Sequence, residues 1–203
     1  LCIDGVAQEP NINDGYRLPA GNYYLADDVT LNDDLALSNK DAGIVNLCLN
    51  GHVLKYNSSG TSSVIQVQDG RALNLCDCQT TEHKFTANEQ SGLWSLAPNG
   101  DKTVTGGVIT GGNGGSGVYI TGGSLTMYGG NIVGNKDGTG AGVHVEEGIR
   151  QGGSFTMEGG SIQGNYTSGR GAGVSVGAES TFTMKGGSIA NNTAPYGDGG
   201  GVY

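Results

Sequence analysis

Four residues with aromatic or hydrogen-bonding side chains each follow a Gly-Val dipeptide in the second half of the chain. They are Tyr119, His144, Ser175 and Tyr203. Aromatic rings stack on the apolar faces of sugar rings, and a few polar groups beside them fix the orientation of a ligand. Side by side on a flat outward face, these residues would suit carbohydrate binding. They are also ordinary residues of exposed strands, and the pattern leaves that interpretation open.

The cysteines suggest a second kind of chemistry. The tripeptide Asn-Leu-Cys ends at Cys48 and again at Cys76, 28 residues later, so we expect both side chains at one repeat position, facing outward and close together. A disulfide between Cys48 and Cys76 is a candidate in an oxidising compartment. Neighbours in parallel ladders rarely bridge well, and two thiols are the alternative. Cys76-x-Cys78 lacks the spacing of a zinc site.

No group of residues forms a catalytic constellation. A glycosidase needs two carboxyl groups across a groove, and a metal-assisted enzyme needs converging ligands. Glu158 and Lys185 occupy equivalent repeat positions, for which a salt bridge is the simpler interpretation. The acidic pair Asp27-Asp28 lacks the spacing of known calcium loops. The sequence therefore assigns no catalytic residue, no metal and no cofactor.

Composition narrows the range of partners. The chain has 10 Lys and Arg against 19 Asp and Glu, a net charge of −9, which argues against nucleic acid and anionic membranes as partners. It has no apolar run long enough for membrane insertion. The first residue is not Met and the last residues begin another repeat, so we expect part of a longer polypeptide.

An internal repeat positions the candidate residues. Residues 124–132, 154–162 and 181–189 are near-copies, with one methionine each and an asparagine eight residues after that methionine. Extending the methionine column backwards gives spacings of 28, 29, 23, 30 and 27 residues between Leu47, Leu75, Val104, Met127, Met157 and Met184. Ile109 then falls in the isoleucine column. Such periods predict a solenoid.

Each unit contains three short segments that alternate apolar and polar residues, which predicts strands. We therefore predict an all-β, right-handed, single-stranded parallel β-helix with three short strands per coil and about six or more coils. Stacking of the coils would place Phe155 on Phe182, and the side-chain amides of Asn135, Asn165 and Asn192 would form a ladder of hydrogen bonds. The Gly-Gly pairs would lie at bends, where a side chain would be strained. We expect one structural domain, with residues 1–45 as a cap or irregular first coil and 46–203 as the repeats.

Several segments resemble those of a known protein family. They are NLCLNGHVL from Asn46, LNLCDC from Leu73, and the FTMxGGSIxxN repeats with GAGV and GGGV between them. They resemble repetitive β-helix regions of large surface and secreted proteins, most typically of gut-dwelling Gram-positive bacteria. They are similar also to the repeats of chlamydial polymorphic membrane proteins, which are adhesins. The resemblance implies a β-helix fold and a place outside a bacterial cell or on its surface.

Two functions of different class follow as expectations. The first is a non-enzymatic adhesin or stalk that binds host or dietary glycans, or host surface proteins. The second is the scaffold of a carbohydrate-active enzyme, either a polysaccharide lyase or a glycoside hydrolase. A more remote alternative is an ice-binding face, because outward Ser and Thr residues recur two per coil in the last three repeats.

Overall fold

The computed structural model describes residues 16–37, 43–57 and 60–203. All secondary-structure elements among these residues are β-strands. The first two coils contain β1 (Tyr16–Leu18), β2 (Gly21–Tyr24), β3 (Val29–Leu31), β4 (Leu35–Leu37), β5 (Ile44–Cys48) and β6 (Val53–Tyr56). The third coil contains β7 (Ile65–Gln68), β8 (Ala72–Cys76), an insert of β9 (Glu82–Ala87), β10 (Trp94–Leu96) and β11 (Lys102–Thr105), and then β12 (Val108–Thr110). No helix of the described residues is long and apolar enough to cross a membrane.

The last three coils repeat the same plan. They contain β13 (Val118–Thr121), β14 (Ser124–Met127), β15 (Asn131–Val133), β16 (Lys136–Asp137), β17 (Val143–Glu146), β18 (Ser154–Met157), β19 (Ser161–Gln163), β20 (Tyr166–Thr167), β21 (Val174–Val176), β22 (Thr181–Met184) and β23 (Ser188–Ala190). Strands stack in register into three parallel sheets, with the orders β1-β4-β7-β13-β17-β21, β2-β5-β8-β14-β18-β22 and β3-β6-β12-β15-β19-β23. We call these the first, second and third sheets. The predicted fold class, a parallel β-helix of about six coils with three strands each, is confirmed.

Strand alternation explains the core between the three sheets. In β14 the burial alternates, so that Leu125 and Met127 point inward and Ser124 and Thr126 point outward. Like residues stack on like residues along the axis, and the rings of Phe155 and Phe182 stack with centroids 4.9 Å apart, as predicted. The last coil has no coil above it among the described residues, and Met184 there is 46% exposed.

The prediction that Val104 belongs to the methionine column is wrong. Leu75 pairs directly with Met127, whereas Val104 belongs to β11, which pairs antiparallel with β9 in the insert. Parallel and antiparallel strands share the same two-residue alternation. The sequence pattern around Val104 therefore could not be distinguished from that of a strand in a β-helix coil. Ile109 does occupy the isoleucine column, paired with Ile132. The insert packs on the outside of the third sheet, where Trp94 lies against the backbone of Gly164.

A buried amide ladder joins the last three coils, as predicted. The side-chain amide of Asn135 donates to Asn165 Oδ1 at 3.0 Å, and that of Asn165 donates to Asn192 Oδ1 at 2.9 Å. Asn135 and Asn165 are completely buried, so their polar groups need these partners. The Gly-Gly bends have the expected geometry, since Gly160 has a φ of 84° and a Cβ there would lie 2.5 Å from the carbonyl oxygen of Gly130.

Candidate functional site

The predicted column of polar and aromatic residues lies on the outer face of the first sheet. Tyr119 on β13 pairs with His144 on β17, which pairs with Ser175 on β21. A bridge between Val174 and Val202 places Tyr203 beyond Ser175 at the end of the stack. The structure thus aligns the four residues, and ligand binding by them stays a prediction.

Ser175 corrects the expectation of a flat, open face. It is only 4% exposed, because the loop before β21 turns back over it. A Cβ on Gly171, whose φ is 63°, would lie 2.8 Å from both Cα and Cβ of Ser175. A side chain at this glycine would meet both steric and backbone strain. Tyr203, half-exposed, is held by Arg170, whose Nη1 donates to its hydroxyl at 2.6 Å. At the centre of the column, Tyr119 and His144 are both partly exposed.

Tyr119 and His144 share one carboxylate. The Tyr119 hydroxyl donates to Glu146 Oε2 at 2.7 Å, and His144 Nε2 lies 3.0 Å from Glu146 Oε1. The two rings are tilted by 48° with centroids 5.3 Å apart. Burial, followed by the hydrogen bond to Glu146 and its charge, raises the pKa of Tyr119 from 10.0 to about 12. The hydrogen bond to the Glu146 carboxylate fixes the phenol as a donor.

A cleft of about 260 Å³ opens beside these rings. Its polar and aromatic lining includes Thr61, Ser63, Gln66, Tyr119, Asp137 and His144. Hydroxyl, amide, carboxylate and imidazole groups from three stacked segments of the chain, 61–66, 114–119 and 137–144, thus converge on one concave surface. A small polar ligand with an apolar face fits such a lining.

The carboxylate of Asp137 is positioned by a polar chain across the coils. Asp137 belongs to β16, which pairs in parallel with β20 outside the three main sheets. Asp137 Oδ2 accepts from the Ser116 hydroxyl at 3.0 Å, while the Ser116 backbone N–H donates to Ser63 Oγ at 3.0 Å. Ser63 and Ser116 are buried, so this chain fixes the floor of the cleft and the direction of Asp137.

Sequence reasoning did not assign several members of this site, among them Gln66, Glu146 and Asp137. Gln66 occupies the Tyr119 position one coil earlier, in a coil too divergent to be aligned from sequence. Glu146 lies two residues after His144, and the strand alternation that placed His144 outward also carried this signal. The position of Asp137 could not be predicted from alternation, because it lies in a two-residue strand within a loop of variable length, which is too short to show a periodic pattern.

A second depression, of about 530 Å³, lies at the β9–β10 turn of the insert and is lined by Thr86, Asn88, Glu89 and Gln90 among others. Asn88 Oδ1 accepts hydrogen bonds from the backbone N–H groups of Gln90 and Ser91 and so closes the turn itself. This depression is larger than the cleft, but it offers a ligand no aromatic ring among its lining residues. The cleft is the stronger candidate for carbohydrate chemistry.

The cysteines lie differently from the expectation. Cys48 and Cys76 do pair across β5 and β8, but both are buried, at 2% and 4% exposure, rather than outward on an open face. Cys48 Sγ lies 3.3 Å from the Sγ atom of Cys78. Cys78 follows β8 by two residues, and the turn there folds back towards the preceding coil. The candidate disulfide between Cys48 and Cys76 stays a prediction.

The acidic residues act locally as structural groups. The ligand atoms of Asp27, Asp28 and His52 lie within 4.8 Å of one another, a set that could hold a cation. Asp28 Oδ1 already accepts from the backbone N–H of Val53 at 2.9 Å and lies 3.4 Å from His52 Nδ1, so it fixes the turn before β6. The predicted ion pair between Glu158 and Lys185 is confirmed, at 2.8 Å.

The outward Ser and Thr residues of the second sheet lie in register. Ser124 pairs with Ser154 and Thr126 with Thr156, and Thr181 and Thr183 continue the grid on β22. The preceding coil has Asn74 in the Thr126 position, so the grid covers three coils. Ice binding by this face stays an untested alternative.

Fold and site together define a parallel β-helix with a polar, aromatic cleft on one lateral sheet. Comparisons of the chain with protein-family models, with curated proteins and with solved structures gave no match.

Proposed function

We propose that the chain is a non-enzymatic, glycan-binding β-helix module of a secreted or cell-surface bacterial protein. The observation that supports this is the cleft, in which the rings of Tyr119 and His144 lie beside several hydrogen-bonding groups. Sugars are bound by this combination of a ring face with a few oriented polar groups. The stacked coils give the cleft a rigid support, which suits an adhesin or stalk.

The charge of the cleft restricts the class of glycan. Asp137 lines the cleft and Glu146 lies behind Tyr119 and His144, while the whole chain carries a net charge of −9. Uronate, sialylated and sulfated glycans would be repelled by these carboxylates. We therefore expect neutral hexoses or N-acetylhexosamines as ligands.

The hydrogen bonds of the two carboxylates favour binding over turnover. Both oxygens of Glu146 have partners in Tyr119 and His144, and both oxygens of Asp137 have partners in Ser116 and Gly138. Each carboxylate thus orients neighbouring groups. The alternative is a carbohydrate-active enzyme, and the observation that favours it is the presence of two carboxylates near one cleft.

A glycan array with the purified chain tests the proposal. We expect binding to neutral glycans that is lost in Tyr119→Ala and His144→Ala and retained in Tyr128→Ala, because Tyr128 is more solvent-exposed than Tyr119 but lies after β14, outside the cleft. Silence on all glycans, or binding restricted to acidic glycans, would contradict it. Reducing-sugar release that disappears in Glu146→Gln or Asp137→Asn would establish the enzyme instead.

A further inference from the structure

The turn after β8 brings two cysteines of adjacent coils together. Cys78 Sγ lies 3.3 Å from Cys48 Sγ and 3.6 Å from Asn50 Oδ1. Cys48 is buried at the end of β5, whereas Cys78 is exposed. One sulfur is therefore accessible to a reagent from solvent, and the other lies directly beneath it.

Hydrogen bonds of the residue between Cys76 and Cys78 hold this turn in place. Asp77 Oδ1 accepts from the Gly51 backbone N–H at 2.7 Å, and Asp77 Oδ2 accepts from the Gly107 N–H at 2.8 Å. The side-chain amide of Gln79 also donates to Asn50 Oδ1, at 3.4 Å. Because the turns of the second and third coils are joined on either side of Cys78, its approach to Cys48 is fixed by the fold rather than by a mobile side chain alone.

We propose that Cys48 and Cys78 form a disulfide that links the second and third coils in an oxidising compartment. This bond is favoured over one between Cys48 and Cys76, which pair across two adjacent parallel strands, because neighbours in a parallel ladder rarely reach disulfide geometry. It also anchors the base of the insert, since β9 starts four residues after Cys78 and His83 Nε2 lies 2.9 Å from the Gly51 carbonyl oxygen. This proposal is independent of glycan binding.

The chemistry is thiol–disulfide exchange with an external disulfide as oxidant. The Cys78 thiolate attacks one sulfur of that disulfide and releases the first thiolate. Cys48, after losing its proton, attacks the Cys78 sulfur of the mixed disulfide and releases the second thiolate. One S–S bond forms within the chain, and the external disulfide accepts two electrons and leaves as two thiols.

Peptide mapping of the whole 203-residue chain tests the linkage. The reduced protein is equilibrated with oxidised glutathione, alkylated and digested with trypsin without reduction. Cleavage at Lys40, Lys55, Arg71 and Lys84 places Cys48 in the peptide 41–55 and Cys76 with Cys78 in the peptide 72–84. We expect these two peptides to be cross-linked in the wild type and in Cys76→Ser, and separate in Cys78→Ser.

Cross-linking lost in Cys76→Ser and retained in Cys78→Ser would overturn the proposal, as would a linkage to Cys2 or full alkylation of all four cysteines after oxidation. Thermal unfolding gives a second readout. Oxidation should raise the Tm by about 5–10 °C in the wild type and Cys76→Ser. An equal rise in Cys78→Ser would contradict the assignment.

Discussion

Substitution of Asn165 by alanine should reveal how much the amide ladder contributes to stability. Asn165 is completely buried, and its side chain makes four hydrogen bonds. Its Oδ1 accepts from the backbone N–H and from the side-chain amide of Asn135, at 2.9 and 3.0 Å. Its Nδ2 donates to the Ile132 carbonyl at 3.1 Å and to Asn192 Oδ1 at 2.9 Å. Alanine would leave all four partner groups without this contact.

At about 1 kcal/mol of net stability for each hydrogen bond, Asn165→Ala should lower the free energy of unfolding by about 4 kcal/mol. For a chain of this length, that corresponds to a fall in Tm of about 8–16 °C. Urea denaturation followed by circular dichroism measures it, with Asn113→Ala as an exposed control that should change stability by less than about 0.5 kcal/mol. A loss for Asn165→Ala as small as that of the control would refute the reasoning.

Three further perturbations follow from burial, backbone geometry and pKa. Phe155→Ala should cost about 3–5 kcal/mol in urea denaturation because the ring is 1% exposed, and Phe182→Ala at the last coil should cost less; equal costs would contradict this. Gly160→Ala should destabilise by more than about 2 kcal/mol, since a Cβ there meets a carbonyl oxygen at positive φ, whereas Gly138→Ala, with open space around it, should be neutral. The raised pKa of Tyr119 stabilises the fold below pH 10, and this contribution should be lost as the pH rises through about 12; Tyr119→Phe should remove that part of the alkaline titration seen by ultraviolet absorbance.

The fold was predictable where the repeat is nearly exact. Met127, Met157 and Met184 lie in one ladder because short strands of fixed length must stack like residues on like residues. Prediction was wrong at Val104, since a two-residue alternation does not distinguish a coil strand from an antiparallel strand of the insert. The break in the spacing at that point was one available sign, and Lys102 at a position that is apolar in the other repeats was a second.

Within the candidate site, only residues on the repeated first-sheet strands could be predicted from sequence. Tyr119 and His144 could be aligned because both follow Gly-Val at the start of a first-sheet strand. The burial of Ser175 and the position of Asp137 depend on loops, whose path over the sheet is set by long-range contacts that leave no local pattern. The same holds for Cys78, because the turn that carries it is held by Asp77 against the preceding coil.

The central claim is that the cleft beside Tyr119 and His144 binds glycans. Isothermal titration calorimetry with the neutral glycan that binds most strongly on the array tests it most directly. We predict saturable binding that Tyr119→Ala weakens at least about tenfold, which is about 1.4 kcal/mol, and that Tyr128→Ala changes less than about twofold. The same affinity in Tyr119→Ala and the wild type, with both variants folded, would contradict the assignment of the cleft as the glycan-binding site.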